Sequence, residues 1–180
     1  MANPVNATLL ERLRTLDLPD WYLVAGCLFQ SVWNGLTGNP PTYGISDYDV
    51  FYFDASDLSF EAEDAVIRRA AAAFADLDAE VQVRNQARVH LWYPEKYGLP
   101  IPPLTSSRDG IDGFLSQTSC FGVRIGRDGT PDVYAPFGFD DVFAMVVRPN
   151  RRRPVPAVYA AKAERWRRLW PALTILPWAG

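Results

Sequence analysis

Residues 46–54 read SDYDVFYFD, and the reading of the rest of the chain turns on this run. Its β-branched and aromatic side chains predict a strand. Side chains alternate across a strand, so Asp47, Asp49, Phe51 and Phe53 share one face and Tyr48, Val50 and Tyr52 the other. The tyrosine and valine face is a core face. The opposite face sets two carboxylates side by side. Upstream, WYLVA (21–25) predicts a buried strand that stops at Gly26, and CLFQSVWNGL (27–36) predicts a helix that starts at once and ends before Gly38. Downstream, Ser59 caps a predicted helix that runs to about residue 76. Glu61, Glu63 and Asp64 sit in its first turns, where the macrodipole favours acids.

The segment AEVQVRNQARVHLWY (79–93) continues the pattern. Val81, Val83, Ala87, Val89, Leu91 and Tyr93 are odd, and Glu80, Gln82, Arg84, Gln86, Arg88 and His90 are even. This alternation predicts one long half-buried strand, with a break near Asn85, whose polar face is open. Further out, Leu9, Leu10, Leu13 and Leu16 predict a helix over 6–16 with Asn6 as cap, and TGNPPTYG (37–44) is a loop. Ser106 or Ser107 starts a short helix to about Leu115, and 119–125 and 131–135 form a hairpin around Asp128-Gly129. FDDVFAMVV (139–147) reads as a short helix. AVYAAKAERWRRLW (157–170) reads as a closing helix with Tyr159, Ala163, Trp166 and Trp170 on one stripe. The order predicts an α+β (mixed α/β) architecture, a small mixed sheet in a single domain spanning 1–180.

Composition narrows the chemistry. The chain has 180 residues, 48% hydrophobic and 22% charged, which is a globular balance. Cys27 and Cys120 are its two cysteines and His90 its one histidine. A disulfide scaffold, a zinc finger and a multi-histidine centre are therefore excluded. The start, MANPVNATLLERL, lacks the basic and apolar regions of a signal peptide, and no run approaches a membrane span. The expectation is a cytoplasmic protein without membrane contact. Residues 1–147 carry 10 Lys+Arg against 20 Asp+Glu, whereas 148–180 carry 8 against Glu164 alone. An acidic body with a basic C-terminal helical segment suits a metal-binding acid site beside an anion-binding patch.

The candidate chemistry lies between Gly26 and Asp49. A glycine at a strand-to-helix turn lets a phosphate approach the backbone, and the free N–H groups of the helix start attract it. Asp47 and Asp49 are hard-oxygen ligands for Mg²⁺ or Mn²⁺. A third acid completes a two-metal site for in-line phosphoryl transfer. Glu80 is the candidate by strand order and face, with Asp54 as rival. Arg84 and Arg88 can neutralise phosphate, and His90 can hydrogen-bond substrate or serve as structure. Trp33, Trp92, Trp166, Trp170 and Trp178 can stack a base or pack a core, and Arg151 to Arg153 form a basic loop.

The stretches LVAGCLFQSVWNGLTG, GISDYDVFYFD, QVRNQARVHLWY, VYAPFGFDDVFAMVVRPN and KAERWRRLWPALTILPW resemble a bacterial family of predicted nucleotidyltransferases of unknown substrate, over roughly residues 15–178. That family is placed in the DNA polymerase β-like nucleotidyltransferase superfamily. The resemblance implies a nucleotidyltransferase-like fold, with helices packed on one face of the sheet and the acidic site on the other. It implies Mg²⁺ or Mn²⁺ as cofactor and an NTP as donor. The acceptor stays open among RNA, protein and small molecules. It assigns Gly26 to the turn and Asp47 and Asp49 to the metal pair, with Glu80 as third catalytic and metal-binding acid. The superfamily turn reads Gly-Ser, or Gly-Gly with a nearby arginine. Here it reads Ala25-Gly26-Cys27, so Cys27, Gln30, Ser31, Arg84, Arg88 and His90 are the remaining candidates for holding the nucleotide. The alternative is a non-catalytic nucleotide- or RNA-binding module on the same fold.

Overall fold

The structure, a computed structural model, describes residues 3–179. Its central strand, β2 (Tyr48–Tyr52), buries Tyr48, Val50 and Tyr52 and leaves Asp49 and Phe51 partly open, as the alternation predicts. On one side β2 pairs antiparallel with β1 (Tyr22–Val24), and on the other it pairs parallel with β3 (Val81–Asn85). A parallel pair needs a crossover, and α3 (Phe60–Ala73) supplies it. The Ser59 hydroxyl accepts from the Ala62 N–H at the start of α3, with Glu61 and Glu63 in the first turn. The hairpin of β4 (Gly122–Ile125) and β5 (Pro131–Tyr134) extends the sheet to the order β3-β2-β1-β4-β5.

The two faces of this sheet carry different loads. The tyrosine and valine face meets α1 (Pro4–Leu13), α2 (Gly26–Thr37) and α3 in the main core, where Leu9, Leu13, Leu23, Val50 and Trp33 are fully buried. The opposite face carries a smaller apolar cluster of Tyr22, Val24, Ile111 and Cys120 under α5 (Ser107–Asp112). Phe51 and Phe114 pack against that cluster. This second cover stops short of Asp49, and the acid lies in the opening that is left. The α+β architecture with a small mixed sheet is the one expected.

The C-terminal segment closes the main core through aromatic edges. Helix α7 (Pro156–Leu169) sends Trp166 and the following Trp170 against α2. Trp33 meets Trp166 and Trp170 edge-on, with ring centroids 6.0 and 5.4 Å apart. Trp170 Nε1 donates to Asn34 Oδ1 at 2.9 Å, and Trp33 Nε1 donates to the Val142 carbonyl at 3.2 Å. Gly44, at φ 71°, approaches so closely that a Cβ there would lie 2.6 Å from the Trp170 ring. Among the described residues no helix is long and apolar enough to cross a membrane.

Two expectations are corrected. The segment 79–93 is not one long strand. β3 ends at Asn85, a 3₁₀ turn covers Gln86–Arg88, and α4 runs Val89–Tyr97. The Asn85 side chain makes the break. Its Oδ1 accepts from the Asp54 and Ala87 N–H groups, and its Nδ2 donates to the Asp54 carbonyl. These local bonds outcompete further ladder pairing. Val89 and Tyr93, four apart, satisfy a helical period as well as an alternating one, so sequence pattern alone did not separate the two. Residues 139–147 are likewise not one helix. α6 spans Asp140–Phe143, Met145 adopts φ 54°, and β6 (Val146–Val147) pairs parallel with β7 (Thr174–Ile175).

Truncation of the aromatic lock is expected to be costly. Trp170→Ala should lower the unfolding free energy by about 3–5 kcal/mol. Trp170→Phe should cost less but strand Asn34 Oδ1, at about 1–3 kcal/mol. Urea unfolding followed by circular dichroism measures both, and a loss below about 1 kcal/mol for the alanine variant contradicts the packing role.

Candidate active site

The turn that joins β1 to α2 is strained. Ala25 adopts φ 63° and ψ −141°, a region that L residues rarely occupy and that costs about 1–3 kcal/mol. Among the described residues no side chain caps the helix that follows, so the N–H groups at its start have no side-chain acceptor there. Gln30, one turn in, folds back over Gly26, where an added Cβ would fall 2.6 Å from its Nε2. Gln30 is buried, and its Oε1 has no hydrogen-bond partner among the described residues. Gly26, Gln30, Asp47, Asp49 and Lys162 line one small cavity of about 100 Å³.

Asp49 owes its place to register. It stands opposite Val24 on one side and Gln82 on the other. Asp47 lies just before β2, and its Oδ1 accepts from Ser46 Oγ at 2.9 Å. The Asp49 carboxylate makes no hydrogen bond or ion pair among the described residues. Burial first, and the neighbouring Asp47 second, push its pKa up from 3.8 to about 6, and Lys162 and Arg84 hold it from rising further. A partly buried acid with no hydrogen-bond or ion-pair partner, beside a second acid, is costly unless a cation shares the site.

The sequence candidates separate into three groups. Gly26, Gln30, Asp47 and Asp49 gather in the small cavity, and Arg84 lines a second, larger cavity that also contains Asp49. Cys27 contributes through its backbone at the helix start, because its thiol is fully buried and donates to the Val24 carbonyl. The others are not brought to the acids. The Ser31 hydroxyl donates to the Cys27 carbonyl and accepts from Asn3 and Asn6 at the start of α1. Arg88 is ion-paired with Glu63 and donates to the Leu58 carbonyl, so it fastens α3 rather than facing the site. His90 sits on α4, and its Nδ1 is buried without a hydrogen-bond partner among the described residues, outside both cavities. The arginines of the basic loop are also engaged, Arg152 with Asp112 and Asp109, and Arg153 over the Tyr93 ring.

Glu80 keeps the predicted face and stands beside Asp47, with its carboxylate turned to the sheet edge. The Tyr48 N–H donates to its carbonyl, which puts it level with Asp47, and its charge contributes to the raised pKa of Asp49. Its carboxylate is exposed, accepts from Gln82 Nε2 at 2.7 Å, and lines a separate edge cavity. The position opposite Asp49 belongs to the amide Gln82. Among the described residues, no group of three or more His, Cys, Asp or Glu is placed to hold a metal ion. The rival, Asp54, is tied to Ser56. The donors present thus fit one divalent ion on the Asp47 and Asp49 oxygens, completed by phosphate and water. They do not fit an all-protein two-ion cage.

Sequence reasoning missed Lys162, which projects from α7 into both cavities. A signal was present. The chain has 16 arginines but only two lysines, Lys96 and Lys162, and both line the larger cavity.

A family model described as a nucleotidyltransferase matches residues 11–175. Among solved structures, one described as revealing a CCA-adding enzyme head domain, determined by NMR, superposes with a TM-score of 0.79. It is 24% identical, and the match covers 97% of this chain and 91% of that one. That likeness shows a shared fold. No curated protein matches the chain in sequence.

The raised pKa of Asp49 predicts a pH signature in metal-free buffer. The folded protein holds this proton up to about pH 6, whereas the unfolded chain releases it near 3.8. Between those values the folded state binds more protons, so stability falls as pH rises from about 4 to 6 and stays lower above that. Asp49→Asn removes the penalty and should be the more stable protein at pH 8, by at most about 3 kcal/mol. Urea unfolding of both proteins at pH 4.5, 6 and 8 measures it. Parallel pH profiles would exclude a buried, unpaired carboxylate at this position.

Proposed function

Because the chain belongs to this nucleotidyltransferase family, we propose that it transfers a nucleoside monophosphate from an NTP to an acceptor hydroxyl, dependent on a divalent ion held by Asp47 and Asp49. One observation carries this reading: among the described residues, an acid pair with no ion-pair partner shares a cavity with an uncapped helix start. An acid pair alone is common, and so is a bare helix start. A phosphate beside a divalent ion is the ligand that satisfies both at once.

The residues divide the work by chemistry. An ion on Asp47 and Asp49 would supply charge neutralisation for the transferring phosphoryl group. The N–H groups at Gly26 and Cys27 receive phosphate oxygens, helped by the partial positive charge of α2. This replaces the hydroxyl of a Gly-Ser turn, which Ser31 does not provide. Gln30 holds the helix start in shape from beneath. Lys162 adds a mobile point charge where the two cavities meet. The acceptor oxygen bonds to the α-phosphorus as the bond from that phosphorus to the bridging oxygen breaks. Pyrophosphate leaves with the electron pair, and the hydroxyl proton passes to water. Positioning and charge stabilisation supply most of the catalysis in such a transfer. Glu80, held by Gln82, contributes negative potential rather than a ligand atom. In this reading residues 1–180 act as one unit, and the basic segment from 148 onward supplies Lys162.

The test uses labelled NTPs with Mg²⁺ or Mn²⁺ and a broad pool of RNA, protein and metabolites. Labelled product is expected, and the Asp47→Asn, Asp49→Asn double variant should lose it by at least about a thousandfold while keeping its circular dichroism spectrum. NTP binding with no transfer to anything in the pool would instead favour a nucleotide-binding module. Unchanged transfer in the double variant would remove the acids from the site.

A further inference from the structure

The larger cavity is more than an extension of the acid site. It measures about 210 Å³ and shares Asp49, Phe114, Leu115 and Lys162 with the smaller one. Its outer wall comes from α4. Trp92 and Tyr97 are partly exposed there, and Lys96 lies 5.5 and 5.4 Å from their ring centroids. Arg84 joins from β3. Among the described residues, the side chains of Arg84, Lys96 and Lys162 make no hydrogen bond or ion pair. Most other arginines of the chain are spent on acids or carbonyls, as with Arg88 on Glu63 and Arg148 on Asp141. These three cations, none paired with an acid or carbonyl, share the cleft with Arg153 and face Asp49 as the one acid among its described lining residues, which creates a positive potential on a chain of net charge −3. Cations beside aromatic faces suit a ligand that has both a phosphate and a planar ring.

The geometry also says which reactant belongs here. In an in-line transfer, the attacking oxygen approaches the phosphorus from the side opposite the leaving group. The two cavities meet at Asp49 and Lys162, so a triphosphate at the α2 start leaves the larger cavity as the adjoining space for the attacking group. Resting on the nucleotidyl-transfer reading above, we propose that this cleft is the acceptor subsite and takes a nucleotide unit, either free or at the end of an RNA strand. Its base lies against Trp92 and Tyr97, and its phosphate lies on Arg84 and Lys96.

The experiment measures binding to the full chain with Mg²⁺ and saturating non-hydrolysable NTP, so that the donor position is filled. One arm titrates AMP and the other a ten-nucleotide single-stranded RNA with a free 3′ hydroxyl. At least one probe should bind, and which one does separates the free nucleotide from the RNA end. Lys96→Ala, Arg84→Ala and Trp92→Ala should each weaken that probe by about tenfold or more. Trp92→Phe, which keeps a ring, should recover most of the loss, and a salt titration should show weaker binding at high salt. Affinity for the NTP analogue, measured alone, should change less than twofold in the Lys96 and Trp92 variants. Variants that weaken the NTP analogue and spare the probe would assign the cleft to the donor base and overturn the proposal. Absence of binding by either probe would overturn it too. If the probe binds through this cleft and yet no NTP label is transferred, the nucleotidyl-transfer reading fails while the binding site stands.

Discussion

Pairing of β2 on both edges is the constraint on which the rest of the molecule depends. One edge takes β1 antiparallel and the other β3 parallel, and a one-residue slip on either would turn Asp49 into the core. Tyr48, Val50 and Tyr52 prevent that slip, because they have no other apolar place to go. The same register fixes which groups can meet. Val24 is brought beside Asp49, so the turn that follows β1 opens next to the acid. Gln82 is brought to the other side, so the direct cross-strand neighbour of Asp49 is an amide and Glu80 lies one pair away, level with Asp47.

The acid face is kept open by an incomplete cover. The small cluster under α5 protects Tyr22 and Val24 but ends at Phe51 and Phe114. Beyond it the floor of the sheet is Asp49, Gln82 and Arg84, three polar side chains in a cleft walled by α4 and α7. A partly buried, desolvated acid in such a place is destabilising, and Ala25, which lines the same small cavity, adds backbone strain. Both costs fall at the cavity proposed for nucleotidyl transfer. The main core, with its fully buried tryptophans, is on the other side of the sheet and offsets them.

The C-terminal segment links these two halves. Trp166 and Trp170 anchor it in the main core, and Lys162, one turn before Trp166, then reaches the acid. The basic character of residues 148–180 therefore has several separate causes. Arg152 ties the loop to α5, Arg165 donates to the Gly44 carbonyl, and Lys162 faces the site. Net charge alone does not distinguish these uses, since pairing consumes most of it.

Local chemistry made much of this legible in the sequence. The alternation in 46–54 fixed β2 and the face of both aspartates, Ser59 announced α3, Asp128-Gly129 announced the hairpin, and the strand that stops at Gly26 announced the helix start. Each signal is complete within a few residues, so no partner was needed to read it. Only the tertiary structure decided what depends on distant atoms. Asn85 ends β3 because Asp54 is there to receive its side chain, and Arg88 leaves the site because Glu63 is there to pair with it. Ser31 is turned to α1, and Gln82 rather than Glu80 faces Asp49 because the parallel register says so. Lys162 joins the acids from more than a hundred residues away, since what places it is the packing of Trp166 and Trp170 on α2, an interaction that no local pattern encodes.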